Sequence, residues 1–274
     1  MRPGAANPDL ELALRLADEA DAITLRHFRS SELRVSSKAD RSPVSNADEE
    51  VEEMLRARLG SERPGDVIDG EEFGSGGEGA RRWIVDPVDG TRNYVRGIPV
   101  YATLIALVVS GEPQVGVVSA PAMAARWWAA RGEGAFGKER PMSVSRQEVL
   151  SEATVGHGHL DAFRKAELLD RFMVVCDQVY QPRGFGDFWQ HMMVASGTLD
   201  ACVDPIVSPW DVAAVQVIVE EAGGRFTDLA GRRSITGGNA VSSNGALHDA
   251  VLSAMRQPDP AAAPGPISPA TLRP

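Results

Sequence analysis

The sequence predicts an α+β half followed by an α/β half. Between Tyr101 and Arg131, the runs YATLIALVVS, QVGVVSA and RWWAAR are separated by turn signals such as Gly111-Glu112-Pro113, which predicts an antiparallel meander. Beyond Pro141, strand-like runs alternate with helical ones, the order of an α/β unit. Composition agrees: the 274 residues are 43% hydrophobic and 24% charged, ordinary for a folded chain and enough for two packed halves.

Residues 1–8 read as a short tail. Asp9 is the predicted N-cap of a first helix, because Leu10, Leu14, Ala17, Leu25 and Phe28 follow at helical spacing. A second helix opens near Asn46. There Asn46-x-x-Glu49 has the form of a capping box, with Val51, Met54 and Leu55 as the apolar face. GSGGEG, residues 74–79, reads as a flexible connector, since it lacks the Lys-Ser/Thr of a phosphate-cradling loop. Trp83-Ile84-Val85 is a short strand running into Asp86-Pro87-Val88-Asp89-Gly90, a turn by composition. Pro141 closes the first half, 9–141.

In the second half, 142–256, ATVGHG is a predicted strand and Leu160 to Phe172 a helix. GDFWQHMMVASG reads as a helix, TLDACVD as a strand, and PWDVAAVQVIVEEAGG as a long helix with a glycine C-cap. RFTDLAGR is a predicted hairpin, and a last helix runs from about Asn244 to Met255. Six of the 18 prolines lie after Gln257 with almost nothing to bury, so 257–274 reads as a disordered tail.

Charge and cysteine usage exclude several functions. A net charge of −10 disfavours nucleic acid and anionic membranes as partners, because phosphate backbones need a basic face. Cys176 and Cys202 are far apart and form no CxxC, which argues against a disulfide framework or structural zinc. The N-terminus has acids and a proline where a signal peptide needs an apolar run. Val100 to Val109, the longest apolar stretch, is about half a membrane span. The expectation is a soluble, cytoplasmic protein. No GxSxG motif or Cys–His pairing points to a nucleophilic hydrolase.

The strongest chemical signal is WIVDPVDGTRNY. Asp86 and Asp89 leave a buried strand three residues apart, with Gly90-Thr91 following. Carboxylates beside the N–H groups of a new helix suit a phosphate held through divalent metal ions. The same letters also suit a plain tight turn. Glu71 and Glu72 form either an acidic site or a solvated turn. Asp211 in Ser208-Pro209-Trp210-Asp211, and Asp48, each also fit as helix first-turn acids. His157-Gly158-His159 has ligand-like spacing without further support, and His27, His191 and His248 read as packing or surface residues.

Together these residues resemble the inositol monophosphatase superfamily. The resemblance rests on Asp86-Pro87-x-Asp89-Gly90-Thr91-x-Asn93, Trp210-Asp211-x-Ala213-Ala214, Glu220-Glu221-Ala222-Gly223-Gly224 and Gly70-Glu71-Glu72, and it covers about residues 9–256. Tyr94 departs from the family's usual Phe. The resemblance implies a layered αβαβα sandwich and a Mg²⁺-dependent phosphomonoesterase, usually a homodimer, acting on a small-molecule phosphate ester. It implies one Mg²⁺ on Glu71, Asp86 and the Val88 carbonyl, a second on Asp86, Asp89 and Asp211, and a weaker third near Glu71. By the same resemblance, Gly90 and Thr91 donate to the phosphate, and the Asp48–Thr91 pair, helped by Glu71, activates the attacking water. Electrostatics agrees. Each close carboxylate pair repels by about 4 kcal/mol at 4 Å and an effective dielectric near 20. A helix cap returns only about 1 kcal/mol, so cations or raised pKa values are required.

The resemblance also places substrate contacts in the second half. Arg183, Gly186, Asp187 and Phe188 occupy a glycine-led helix start that touches substrate in the family, and Asp204 matches another substrate-facing acid. An anionic wall suits a cationic alcohol, although Asp187 also fits as a first-turn helix acid. WWAARGEGAF and RGFGDFW are similar to the actinobacterial histidinol-phosphate phosphatase branch. The expected substrate is therefore L-histidinol phosphate, in histidine biosynthesis. The alternatives are inositol 1-phosphate or broad specificity and, from another class, a non-catalytic metal-binding scaffold.

Overall fold

Asn7 caps the first helix, α1 (Pro8–His27), by accepting from the N–H groups of Asp9 and Leu10. Asp9 is thus not the cap. It lies in the first turn and pairs with Arg63 and Arg81. The computed structural model describes residues 7–38 and 42–256. The predicted C-terminal tail and residues 1–6 of the N-terminal one lie outside the described residues.

A two-stranded hairpin, β1 (Val35–Ser37) and β2 (Pro43–Ser45), leads into α2 (Asn46–Glu62). The capping box here is Ser45-x-x-Asp48, one residue earlier than Asn46-x-x-Glu49. Ser45 is the better acceptor because it is still extended, whereas Asn46 is already helical and its side chain accepts from the Arg34 N–H. Next come β3 (Val67–Gly70), β4 (Gly74–Ser75) and β5 (Arg81–Asp89). β5 takes in Asp86 through Asp89, which composition had made a turn. The register shifts between Asp86 and Asp89, so the proline is accommodated in a bulge and not in a chain reversal.

A short helix, α3 (Thr91–Val95), precedes the meander β6 (Ala102–Val109), β7 (Glu112–Ala120) and β8 (Ala125–Ala130). β9 (Gly134–Gly137) and β10 (Arg140–Pro141) extend it. The eight-stranded sheet has the order β10-β9-β8-β7-β6-β5-β3-β4 and is antiparallel except for the β3–β5 pair.

The second half begins with β11 (Thr154–His157), α4 (Leu160–Lys165) and α5 (Leu169–Gln178). The single helix predicted from Leu160 to Phe172 is two, because Glu167 is left-handed at φ 58° and breaks it. Then follow β12 (Gln181–Gly184), α6 (Asp187–Ala195), β13 (Ala201–Asp204) and α7 (Pro209–Glu221). β14 (Arg225–Thr227), β15 (Ala240–Ser243) and α8 (His248–Ala254) complete it. RFTDLAGR is not a hairpin on itself: β14 pairs with the distant β15. The sheet β12-β11-β13-β15-β14 is parallel across β11 and antiparallel at β15.

The layers are α1/α2, the large sheet, α6/α7, the small sheet, and α4/α5/α8, the αβαβα sandwich that the resemblance implied. α7 is apolar nearly all round because it is the middle layer, with Val212, Val215, Ile218 and Val219 buried. Among the described residues, no helix is long and apolar enough to cross a membrane.

Candidate active site

The site forms where β5 ends against the starts of α3, α6 and α7. Asp86, Asp89 and Asp211 each place a carboxylate oxygen within 4.8 Å of the others. Each also accepts one backbone N–H: Asp86 from Val88 at 3.0 Å, Asp89 from Phe188 at 2.6 Å, Asp211 from Ser208 at 2.7 Å. None has an ion-pair partner among the described residues. Burial, then neighbouring Glu71, raises the Asp86 pKa well above its ordinary range. Burial, then Asp187 and Asp211, does the same for Asp89. Burial and the surrounding acids push Asp211 up to about 7, against the Ser208 hydrogen bond. Such a set of buried oxygen donors fits a hard divalent cation.

Gly90 joins the strand to α3 at φ 83°, a left-handed conformation, and a Cβ there would meet the Val100 carbonyl at 3.0 Å. Thr91 follows, its hydroxyl 2.8 Å from the Val88 carbonyl and 3.1 Å from Asp48 Oδ1. The other Asp48 oxygen holds Ser45 through both its N–H and its hydroxyl. Burial raises the Asp48 pKa against these hydrogen bonds. Asp48 and Asp211 are therefore capping acids and members of the site at once.

Glu71 lies on the turn after β3. Buried Glu52 holds that turn by accepting from the Glu72 and Phe73 N–H groups. Lys38, on the β1–β2 connection, donates to Glu71 at 2.6 Å and Glu72 at 2.8 Å. Burial nevertheless pushes Glu72 up to about 7. A cleft of about 310 Å³ joins Glu71, Asp86, Val88, Asp89, Gly90 and Thr91 to Asp187 and Asp211. A deeper cavity of about 120 Å³ continues from it, lined by Asp187, Phe188, Asp204 and His191.

The family follows from sequence and fold together. Residues 6–259 match the model of the inositol monophosphatase family. The chain belongs to that family. It is 48% identical over 258 residues to a histidinol-phosphatase of Streptomyces coelicolor, covering 91% of this chain and 97% of that one. A histidinol-phosphatase of Mycobacterium tuberculosis is also 48% identical, over 253 residues, covering 90% and 97%. Among solved structures, the extragenic suppressor protein SuhB of Bartonella henselae superposes with a TM-score of 0.84 at 29% identity, covering 92% and 99%.

Within this family fold, Asp187 starts α6 at φ 51°, and Asn93 donates to it at 3.1 Å. Phe188 is buried and contributes its N–H to Asp89. Gly186 is the N-cap of α6 at φ 73°, a positive value that glycine adopts without a Cβ penalty. Arg183 departs from expectation. It is exposed on edge strand β12, over the Phe185 ring, and lines neither cavity, because the strand ends before the chain turns into the site.

Three residues were missed. Lys38 had no sequence signal, being a lone cation in an unpatterned loop. His159 faces Asp187 at 3.7 Å, which raises its pKa, and the only hint was His157-Gly158-His159. His157 itself packs on Phe163 and Phe172. His191, read as a packing or surface residue, is buried and also lines the deeper cavity.

Proposed function

We propose that this chain is a Mg²⁺-dependent phosphatase that hydrolyses L-histidinol phosphate to L-histidinol and phosphate, a step of histidine biosynthesis, as a cytoplasmic homodimer. One observation carries the reading: the chain shares 48% identity with histidinol-phosphatases across nearly its whole length. The acids Asp187 and Asp204 in the deeper cavity support a cationic alcohol as the leaving group. The first half, 9–141, would supply most of the metal site, and the second, 142–256, the substrate wall.

Asp86, Asp89, Asp211 and Glu71, with the Val88 carbonyl, would hold two to three Mg²⁺ ions. Bound magnesium would acidify the attacking water and offset charge on the phosphate oxygens. Gly90 and Thr91 would fix the phosphate with their N–H groups. The Thr91 hydroxyl, 3.1 Å from Asp48, would orient the water and pass its proton to that carboxylate. A raised pKa makes Asp48 a better acceptor, and Glu71 assists. A bond forms from the water oxygen to phosphorus, the ester P–O bond breaks, and the departing alkoxide takes up a proton. Asp187 and Asp204 would bind the ammonium or imidazole of the alcohol.

The test compares kcat/KM for L-histidinol phosphate, inositol 1-phosphate and 4-nitrophenyl phosphate, with Mg²⁺ and with chelator. The expected result is Mg²⁺-dependent turnover with L-histidinol phosphate preferred. A preference for inositol 1-phosphate would move the chain to the inositol phosphatase reading. No turnover of any ester would leave a metal-binding scaffold.

A further inference from the structure

We infer that His191 is a positioning residue for substrate choice, holding Asp204 so that one carboxylate oxygen is kept for the cationic end of the substrate. This rests on the substrate reading above. His191 is buried on α6, one helical turn after Asp187. Its Nε2 lies 2.9 Å from Asp204 Oδ2. A carboxylate only accepts, so Nε2 carries the proton and donates. Its Nδ1 lies 2.7 Å from Ser242 Oγ and 3.2 Å from Cys202 Sγ. The ring is thereby tied to β15 and to Cys202 of β13 at one nitrogen, and to Asp204 at the end of β13 at the other.

The neighbouring Gln190 donates from Nε2 to the same Asp204 Oδ2 at 2.6 Å. Both side-chain donors thus converge on one oxygen. Oδ1 accepts no hydrogen bond among the described residues. It lies against Gly158, where a Cβ would come within 2.2 Å of it, so only glycine leaves it room. Asp204, His191, Gly158 and Asp187 all line the deeper cavity. One oxygen is consumed by the protein, while the other takes no donor from the described residues and belongs to a side chain that lines a cavity bordered by acids. The ligand chemistry that matches is an ammonium or a protonated imidazole. α6 therefore presents one acid itself, Asp187, and orients a second, Asp204, through His191.

The experiment measures KM and kcat for L-histidinol phosphate and 4-nitrophenyl phosphate with saturating Mg²⁺, for the parent protein, His191→Leu and His191→Gln. With His191→Leu, KM for L-histidinol phosphate should rise roughly tenfold to a hundredfold, the scale of a hydrogen bond to a charged group. Its kcat should change much less, and the loss on the nitrophenyl ester should be smaller. His191→Gln can still donate to Oδ2 and should recover most of the loss. Equal losses on both esters, or a glutamine no better than leucine, would make His191 a packing residue and overturn the inference. If His191→Leu shows no cooperative melt, Gly158→Ala decides. It crowds Oδ1 with His191 in place and should give the same KM-selective loss, and equal loss on both esters refutes the idea. A parent that does not prefer L-histidinol phosphate sinks the substrate reading and this inference with it. A parent that does, with variants that keep the preference, sinks this inference alone.

Discussion

Asp211→Asn should stabilise the metal-free protein while removing its activity. The parent carboxylate is pushed from an ordinary 3.8 to about 7 by burial and by Glu71, Asp204 and Asp187. A carboxylate whose folded pKa lies above its unfolded one binds more protons when folded. Its contribution to stability is therefore lost as pH rises from about 4 to about 7. Each pH unit in that window is worth about 1.4 kcal/mol, so the cost above neutrality is at most about 4 kcal/mol. Asparagine removes the charge and can still accept from the Ser208 N–H, so the α7 cap survives. About 2–4 °C of Tm per kcal/mol is usual at this size, giving a rise of several degrees in chelator at pH 8. Magnesium should raise the parent Tm in a concentration-dependent way and the variant Tm far less. Melting curves at pH 5 and pH 8, each with Mg²⁺ and with chelator, check every part. A metal-free variant less stable than the parent at pH 8, or a parent Tm indifferent to Mg²⁺, would refute the repulsion argument.

Asp86→Asn should abolish most turnover of every ester tested, because Asp86 is the carboxylate proposed to serve two metal ions at once; near-parental activity would remove Asp86 from the site. Asp187→Asn keeps a residue that tolerates φ 51° but deletes the charge. It should cost roughly tenfold to a hundredfold in kcat/KM on L-histidinol phosphate and much less on 4-nitrophenyl phosphate. Equal costs on the two esters would make Asp187 a structural helix acid. Lys38→Met should enlarge the Mg²⁺-induced rise in Tm, because Lys38 is the cation held by Glu71 and Glu72. An unchanged rise would mean that the ion pair and the metal do not compete.

Much of the site was legible because it is local in sequence. Asp86, Asp89, Gly90 and Thr91 lie within a single strand end and helix start, so spacing alone pointed them one way. Asp48 and Asp211 were visible as helix first-turn acids, and that reading stood beside the functional one because the geometry satisfies both. The errors also had local causes. Proline and glycine after Val85 spelled a turn, but β6 pairs with the chain on either side of the bulge and keeps it in the sheet. The β14 partner was misread because β15 lies beyond a loop that carries no periodic signal.

The sequence by itself determined the meander followed by alternating strands and helices, the acid cluster and the family, since each depends on residue type and spacing along the chain. Only the tertiary structure decided which side chains meet the cluster from elsewhere. Lys38 reaches Glu71 from a hairpin, and His159 reaches Asp187 from the end of β11. His191 reaches Asp204 across the layer between helix and sheet, and Arg183 is turned away on an edge strand. The physical reason is that helical and strand periodicity report which face of an element is buried, not which neighbour it is buried against. That choice is made when α6 and α7 pack between the two sheets and bring the end of β5 against the start of α6.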